Sequence, residues 1–459
     1  MKLQKYFYEF PENFRLAYPV ILGMLGHTLI GIVDKLMVGQ LGPAALAAVS
    51  LGNSFFFVAL SLGVGFSTAI TPLVGEADAA NDKTSIRSIF HHGLLLCTVL
   101  GILLFLAVFL CKPLLSTMGQ PADVILLARP YLDWIALSLI PVVMYQGYKQ
   151  FADGMSMTKY SMYAIILGNI IHVPINYALI YGFWIIPEYG VEGAALGSLI
   201  SRILMVIFLH LILSYNHKLK PFFEGLYTLA FKRQLASKIV NLGFPSALQM
   251  MFEVVLFTAS VWLCGSIGKT SQAANEIALS LATVTFMFAS GLSVTGMIRV
   301  SNQRGLNDYR HLVVVARSIF LMVILIETVF AVLFIAFHQV LPEFFLNLDK
   351  PDQLIENREV VQIAAKLLVV AAIFQISDGV QVVVLGALRG LQDVRIPMYI
   401  TFVAYWIIGF PISYYLGKYT ELKAVGVWIG LLAGLTAAAV FLYIRFDKLT
   451  KRSILASDR

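Results

Sequence analysis

The chain has 459 residues, 59% of them hydrophobic and 13% charged, with a mean hydropathy of +0.82. A soluble globular domain carries about 25% charged residues, so much of this chain must face lipid and no room remains for a soluble catalytic domain. The net charge of +7 is read from where the basic residues fall, because basic residues of membrane proteins collect in cytoplasmic loops.

Crossing the hydrocarbon takes about 20 apolar residues. Twelve such segments are predicted, near 15–38, 44–72, 91–115, 130–152, 161–183, 193–215, 240–264, 273–298, 314–338, 360–386, 396–416 and 424–446. The longest polar connection, "NHKLKPFFEGLYTLAFKRQLASK" (216–238), falls in the middle. The opening "MKLQKYFYEFPENFR" lacks the apolar core and small-residue site of a cleaved signal, so the first segment is expected to be its own insertion signal. Cys97, Cys111 and Cys264 lie in apolar stretches and suggest no disulfide framework. Roughly two thirds of the 33 Lys and Arg fall at the N-terminus, after even-numbered segments and in the C-terminal tail. That bias predicts a multi-pass protein of the cell inner (plasma) membrane with both termini cytoplasmic.

The two halves repeat. Leu16, Pro19, Leu22 and Met24 match Leu242, Pro245, Leu248 and Met250 at one constant interval, which also pairs Gly65 with Gly291 and Asn81-Asp82 with Asn307-Asp308. A longer interval then pairs Gly154, Met162-Tyr163 and Gly190-Val191 with Gly390, Met398-Tyr399 and Gly426-Val427. The extra residues are expected around "LDKPDQLIENREVV" (348–361). The predicted fold is an all-α membrane protein: twelve transmembrane helices in two pseudo-symmetric six-helix bundles, lobes 1–220 and 221–459. Six helices per half make this a parallel repeat of the kind found in transporters.

Ionisable groups inside such helices cost a few kcal/mol on insertion scales and are functional by default. Glu253 lies between Lys238 and Lys269, about 22–24 Å of helix from each. Asp378 lies midway between Lys366 and Arg389, and Asp34, in "GIVDKLMVGQ", is nearer the outer face. The plain alternative for each is a structural acid bonded to a neighbouring helix. Lys35 cannot reach Asp34 across the helix, since adjacent residues point apart, and is expected to snorkel outward. Glu327, in "LIETVF", has no partner legible in the sequence. Around Pro174, His172 and Asn176 supply polar groups, and the proline frees the Ile170 carbonyl, a cation ligand where a carboxylate is near. "FMF" ending at Phe288, with Tyr145 and Tyr148, offers either a soft wall for flat cations or plain packing. A dehydrated carboxylate takes a proton, Na⁺ or organic cation rather than stay bare, and competition for it lets one gradient drive another solute.

Two motifs mislead. "GSIGKTS" (265–271) lacks the four residues a phosphate loop needs between its glycine and Gly-Lys. His91-His92 has no acid or cysteine at metal-ligand spacing and is expected at a solvated helix start. No nucleophile–base set and no basic-aromatic pattern for nucleic acid occurs.

These residues together resemble the multidrug and toxin extrusion (MATE) transporters, in their NorM-like bacterial branch. The resemblance rests on "GIVDKLMVGQLGPAALAAVSL", "QFADGMSMTKYSM", "HVPINYALIYG", "GVEGAALGS", "GFPSALQMMFEVVLF" and "ISDGVQVVVLGALRGLQDVRIP", and covers essentially the whole chain. It implies two six-helix lobes and antiport of organic cations against Na⁺ or H⁺. Glu253 and Asp378 then match the cation-coupling site of the second lobe, a candidate Na⁺ position, with Gln381 in the same motif. Asp34 serves the first lobe, with Asn176 and Ser198 at matching polar positions. The sequence departs from the family at His172, where Asn is expected and where an imidazole facing Asp34 would bias that lobe towards protons. Phe374, where a Tyr can occur, removes a possible ligand. The expectation is thus a secondary multidrug efflux antiporter: not an enzyme, without cofactor, monomeric, with small organic cations and the bilayer as partners. Rivals are a lipid-linked sugar flippase of the same superfamily, which would line its cleft with basic residues, and a membrane-embedded enzyme, which would need a clustered catalytic set.

Overall fold

A computed structural model describes residues 4–117, 121–225, 230–346 and 354–457. Among them the chain is all α, apart from one isolated bridge between Phe183 and Ile186. Twelve helices are long and apolar enough to cross a membrane: α1 (Phe10–Gly39), α2 (Pro43–Ala79), α3 (Lys83–Ser116), α4 (Ala122–Gly154), α5 (Thr158–Tyr181), α6 (Gly190–Ser214), α7 (Arg233–Ile267), α8 (Lys269–Gly305), α9 (Tyr309–Phe337), α10 (Leu354–Gly390), α11 (Arg395–Tyr419) and α12 (Lys423–Ala456).

Several outrun their predicted apolar segments. The helix α3 starts at Lys83 rather than 91, and α12 reaches Ala456 rather than 446. Hydropathy marks only the lipid-facing part, whereas the backbone stays helical until a cap stops it. The paired Asn-Asp dipeptides are such caps. Asn81 and Asn307 both take a left-handed φ of 57°. Asp82 then accepts the Ser85 amide at 3.0 Å, and Asp308 the His311 amide at 2.9 Å. Bonds from the Ser85 hydroxyl and amide hold the Asp82 carboxyl below its ordinary pKa. The expected insertion around 348–361 falls partly on 348–353, outside the described residues.

This capping corrects the reading of His91 and His92. They lie two turns inside α3 and are buried rather than solvated. The connection after α6 covers them: His91 Nε2 meets the Phe222 carbonyl at 2.8 Å, and His92 Nε2 accepts the Lys232 amide at 2.8 Å.

Three helices are irregular. In α2 the regular helix breaks between Ser67 and Ile70, and in α4 it breaks at Ser138. Pro141, which has no N–H to return to the Leu137 carbonyl, accounts for the second break. In α11 a π-helical stretch, Val403–Gly409, precedes Pro411. It absorbs one additional residue. Pro-Ile-Asn-Tyr (174–177) matches Pro-Ile-Ser-Tyr (411–414) one position beyond the interval that relates Met162-Tyr163 to Met398-Tyr399.

Two compact units emerge, Tyr18–Leu248 and Gln249–Arg459 joined by Met1–Ala17. These limits differ from a division at 220/221, and for physical reasons. Glu9 and the first turn of α1 are tied to α8 and α9: Arg299 donates to Asn13 Oδ1 at 2.6 Å and Glu9 Oε2 at 2.8 Å, and Asn13 donates to Ser318 Oγ at 3.0 Å. Burial pushes the Glu9 carboxyl up, but bonds and charge from His311 and Arg299 outweigh it and leave it below its ordinary range. At the other limit, α7 runs unbroken through residue 248.

Within Tyr18–Leu248, α5 lies along α6, while α2 packs along both halves of α4 and α3 chiefly on its second half. In the other unit α10 is central, touching α8, α9 and α12, with 67% of its apolar stretch buried against 22% for α7. Membrane helices meet through small residues because lipid provides no hydrophobic drive for association. Gly386 of α10 follows this rule, since a Cβ there would strike the Ser293 carbonyl oxygen of α8. A Cβ at Gly31 meets nothing within 4 Å. Gly386→Val is therefore expected to abolish recovery of monodisperse protein in detergent, whereas Gly31→Ala leaves recovery unchanged by size-exclusion chromatography.

Candidate cation-binding sites

In the Tyr18–Leu248 unit, α1 presents Asp34 to α5, which carries His172 and Asn176 one turn apart on one face. His172 Nε2 lies 2.7 Å and Asn176 Nδ2 lies 2.8 Å from Asp34 Oδ1, and Asn176 Nδ2 lies 2.9 Å from His172 Nε2. His172 and Asn176 are buried, whereas the Asp34 side chain remains 26% exposed. On α6, Ser201 Oγ donates to the Gly197 carbonyl at 2.8 Å and stands 3.0 Å from His172 Nδ1.

This geometry locates protons. Ser201 has one hydroxyl hydrogen, and the Gly197 carbonyl takes it, so His172 Nδ1–H must donate to Ser201 Oγ. The 2.7 Å contact on the opposite ring edge then needs a hydrogen of its own, carried by His172 Nε2 or by the Asp34 carboxyl. Further positive charge stands near the acid. Arg202 of α6 bonds Ser138 Oγ, lies 4.3 Å over the Phe56 ring, and is within electrostatic range of Asp34. Lys35 is exposed, as the helical geometry required.

Not every expected partner joins. Ser198 is buried on α6 but makes no hydrogen bond to the cluster, among the described residues; Ser201, one turn on, occupies that role. The carbonyl freed by Pro174 is not near the acid's partners: Ile170 and Pro174 share an exposed face of α5, while His172 and Asn176 are buried on another. Tyr145 instead donates to the Ser161 carbonyl at 3.2 Å, beside the buried Lys149–Asp153 pair at 2.7 Å. Tyr148 bonds the His210 ring at 3.0 Å.

In the other unit the groups converge on α10. Glu253 of α7, half-buried, lies within electrostatic range of Asp378 and of Arg389. Arg389 donates to Gln249 Oε1 at 3.1 Å. Tyr405, from the π-helical stretch of α11, adjoins Gln381 and faces Glu253, Asp378 and Arg389. Asp378 is 5% exposed, and its Oδ1 is buried with no hydrogen-bond donor. Phe374 packs against Trp428 as a tilted pair, 5.1 Å between centroids. Phe288 packs on Phe330 at 5.0 Å. Among the described residues no group of three His, Cys, Asp or Glu is arranged to hold a metal ion.

Ser201, Arg202, Gln249 and Tyr405 were not singled out from the sequence. Ser201 was accessible as the residue one helical turn beyond Ser198. Tyr405 was signalled only by the one-residue slip of the repeat at Pro411.

Twelve apolar helices with ionisable groups at mid-membrane, brought together from separate helices, define a polytopic membrane transport protein rather than an enzyme. The chain belongs to the MatE family, whose model matches residues 19–178 and 245–415. It is 31% identical over 98% of its length, and 96% of the relative's, to a probable multidrug resistance protein NorM of Agrobacterium fabrum. It is 29% identical to the multidrug resistance protein NorM of Vibrio cholerae, over 98% of each chain. The fold matches the crystal structure of the eukaryotic MATE transporter AtDTX14 with a TM-score of 0.85 at 20% identity, covering 99% of this chain and 100% of that one.

The two serines of α6 are separable by experiment. Ser201→Ala removes the acceptor of His172 Nδ1–H, a bond worth about 1 kcal/mol, and is expected to alter the pH dependence of transport. Ser198→Ala should leave the pH profile superimposable on wild type.

Proposed function

We propose that this chain is a secondary-active multidrug efflux antiporter that exports organic cations in exchange for Na⁺ or H⁺. The observation that carries this reading is the unequal environment of the buried acids. Asp34 is answered by His172 and Arg202, a setting that favours a proton over a metal cation. Asp378 has a buried oxygen with no donor, and the one guanidinium nearby stands against Glu253 and Gln249. A carboxylate so placed resists remaining bare and takes up positive charge. In this reading Glu253 and Asp378 bind the coupling ion, and Gln381 and Tyr405 complete their polar surroundings. The Asp34–His172 pair carries a proton for the first lobe.

The names of the relatives support small-molecule export, and the acidic character of the unpartnered groups supports cationic cargo over the phosphates of a lipid-linked sugar. We take the protein to be a monomer of the inner membrane, and its distribution of Lys and Arg supports both termini being cytoplasmic. No cofactor is needed, since the coupling ion supplies the driving force. The six-helix lobes 1–220 and 221–459 are the functional halves in this scheme.

The test is dye efflux from proteoliposomes with Na⁺ and pH gradients imposed separately. Asp378→Asn is expected to abolish ion-driven efflux at normal expression, and Glu253→Gln to abolish ion-dependent release of bound drug. Undiminished transport by Asp378→Asn sinks the coupling role.

His172→Asn is the second probe. It keeps a hydrogen-bonding side chain beside Asp34 but removes the imidazole, so substrate-linked proton exchange should fall by about one proton. An unchanged proton count, read with a pH-sensitive dye in weak buffer, would reject the shared proton.

A further inference from the structure

Glu327 takes no part in the sites above, yet it is the most thoroughly enclosed of the mid-membrane acids that the sequence singled out. It lies on α9 at 1% exposure, and both carboxylate oxygens are buried without a hydrogen-bond partner. Its stem rests on the backbone of α10: a Cβ built at Gly379 would stand 2.8 Å from Glu327 Cγ and 3.5 Å from Cδ. Asp378, the adjacent residue, lies within electrostatic range. Gln375, one turn before Gly379, donates its amide to the Glu327 backbone carbonyl at 3.3 Å, which leaves Gln375 Oε1 buried and unpartnered as well.

Acceptors therefore accumulate here with nothing to satisfy them: both oxygens of Glu327, Oδ1 of Asp378 and Oε1 of Gln375. Buried polar atoms are normally paired, so a run of orphans marks a missing partner. The missing partner of Glu327 must bring a proton or a positive charge, because both of its orphan atoms are carboxylate oxygens; the orphan donors nearby, Gln381 Nε2 and the Tyr405 hydroxyl, adjoin Asp378 instead. No cationic side chain meets Glu327 among the described residues. Its charged neighbour is Asp378, whose own neighbours are Glu253 from α7, Tyr405 from α11 and, beyond Glu253, Arg389. Oxygen ligands of this kind suit a proton or a hard cation equally.

We propose that Glu327, with Gln375 and Asp378, forms a second seat for a monovalent positive charge, Na⁺ or a proton, so that the Gln249–Arg459 unit carries one charge more than the Glu253–Asp378 site alone accounts for. The proposal rests on the antiport reading above. The extra charge would raise the driving force per exported molecule and stiffen the dependence of export on the gradient.

The test counts charges. Purified protein in proteoliposomes exports ethidium against graded ion gradients, one series with Na⁺ at equal pH and one with pH in the absence of Na⁺. The balance point in each series gives the ion-to-substrate ratio. Glu327→Gln, isosteric and neutral, is expected to export with one ion fewer per ethidium, and the series in which the ratio drops identifies the ion. An unchanged ratio in both series overturns the proposal. Asp378→Asn separates the layers of the argument. Wild-type coupling by that variant refutes the coupling role of Asp378, and wild-type protein whose efflux follows neither gradient refutes the antiport reading itself, whereas lost coupling in Asp378→Asn with an unaltered ratio in Glu327→Gln refutes only the second seat. Independent of folding in the variants, a hydrophobic carbodiimide applied to wild-type protein should modify Glu327 in its protonated form. Protection by Na⁺ or by alkaline pH supports the seat, and modification indifferent to both, or none at all, counts against it.

Discussion

A carboxylate withdrawn from water must be given positive charge, and this requirement orders the chemistry of the molecule. Transferring an unpaired charge into a low-dielectric interior costs more than most single interactions return. In the Tyr18–Leu248 unit the protein meets the demand itself. Asp34 touches His172 at 2.7 Å and feels Arg202. In the Gln249–Arg459 unit one guanidinium stands near the mid-membrane acids and reaches only Glu253 among them. Arg389 is committed to Gln249 and Glu253, which leaves oxygens of Asp378 and Glu327 unanswered. One unit is nearly balanced from within, and the other is open to charge from outside.

The contrast is sharper because the two halves share a backbone. Asn81 and Asn307 have the same φ of 57°, and Ser156 and Gln392, related by the later interval of the repeat, have φ of 58° and 59°. Turns and caps have thus been kept while side chains at equivalent positions changed sign or charge. His27 stands where the second half has Glu253, and Asp34 where it has Ser260. Asp153, buried against Lys149, stands where the second half has Arg389. An exchanger gains from this asymmetry, since two identical acids would bind the same species under the same conditions and could not be filled in turn.

The fold was largely legible in the sequence. Apolar runs gave all twelve helices, because the hydrocarbon imposes a length that few other structures need. The Asn-Asp pairs marked the caps, because so few residues suit a left-handed turn followed by an N-cap. Helix ends were less legible, since Lys83 to Phe90 is helical but not apolar enough to register. Of the sites, His172 and Asn176 were readable as polar groups around Pro174, and their place beside Asp34 came with the family resemblance rather than from polarity. Ser201 was hidden because a serine in a membrane helix is unremarkable until its neighbour is known. The pairing of Glu327 with the Gly379 backbone was hidden for another reason: it depends on which face of α10 meets α9, and α10 is buried on nearly all sides and so carries no amphipathic signal.

The π-helical stretch of α11 shows how a local irregularity can serve both packing and chemistry. One inserted residue turns the helix before it by about 100° relative to the helix after it. Downstream, Ser413 keeps its place against α12, donating to the Val427 carbonyl at 2.9 Å, as its counterpart Asn176 keeps its place on α5. Within the stretch, the added rotation lets Tyr405 face Glu253, Asp378 and Arg389, a direction for which α5 offers no equivalent aromatic residue. A regular helix through Pro411 would have to give up one of these two registers. Retaining both places a hydroxyl beside the acids in the half that lacks the tyrosine expected at position 374, where Phe374 is instead packed against Trp428.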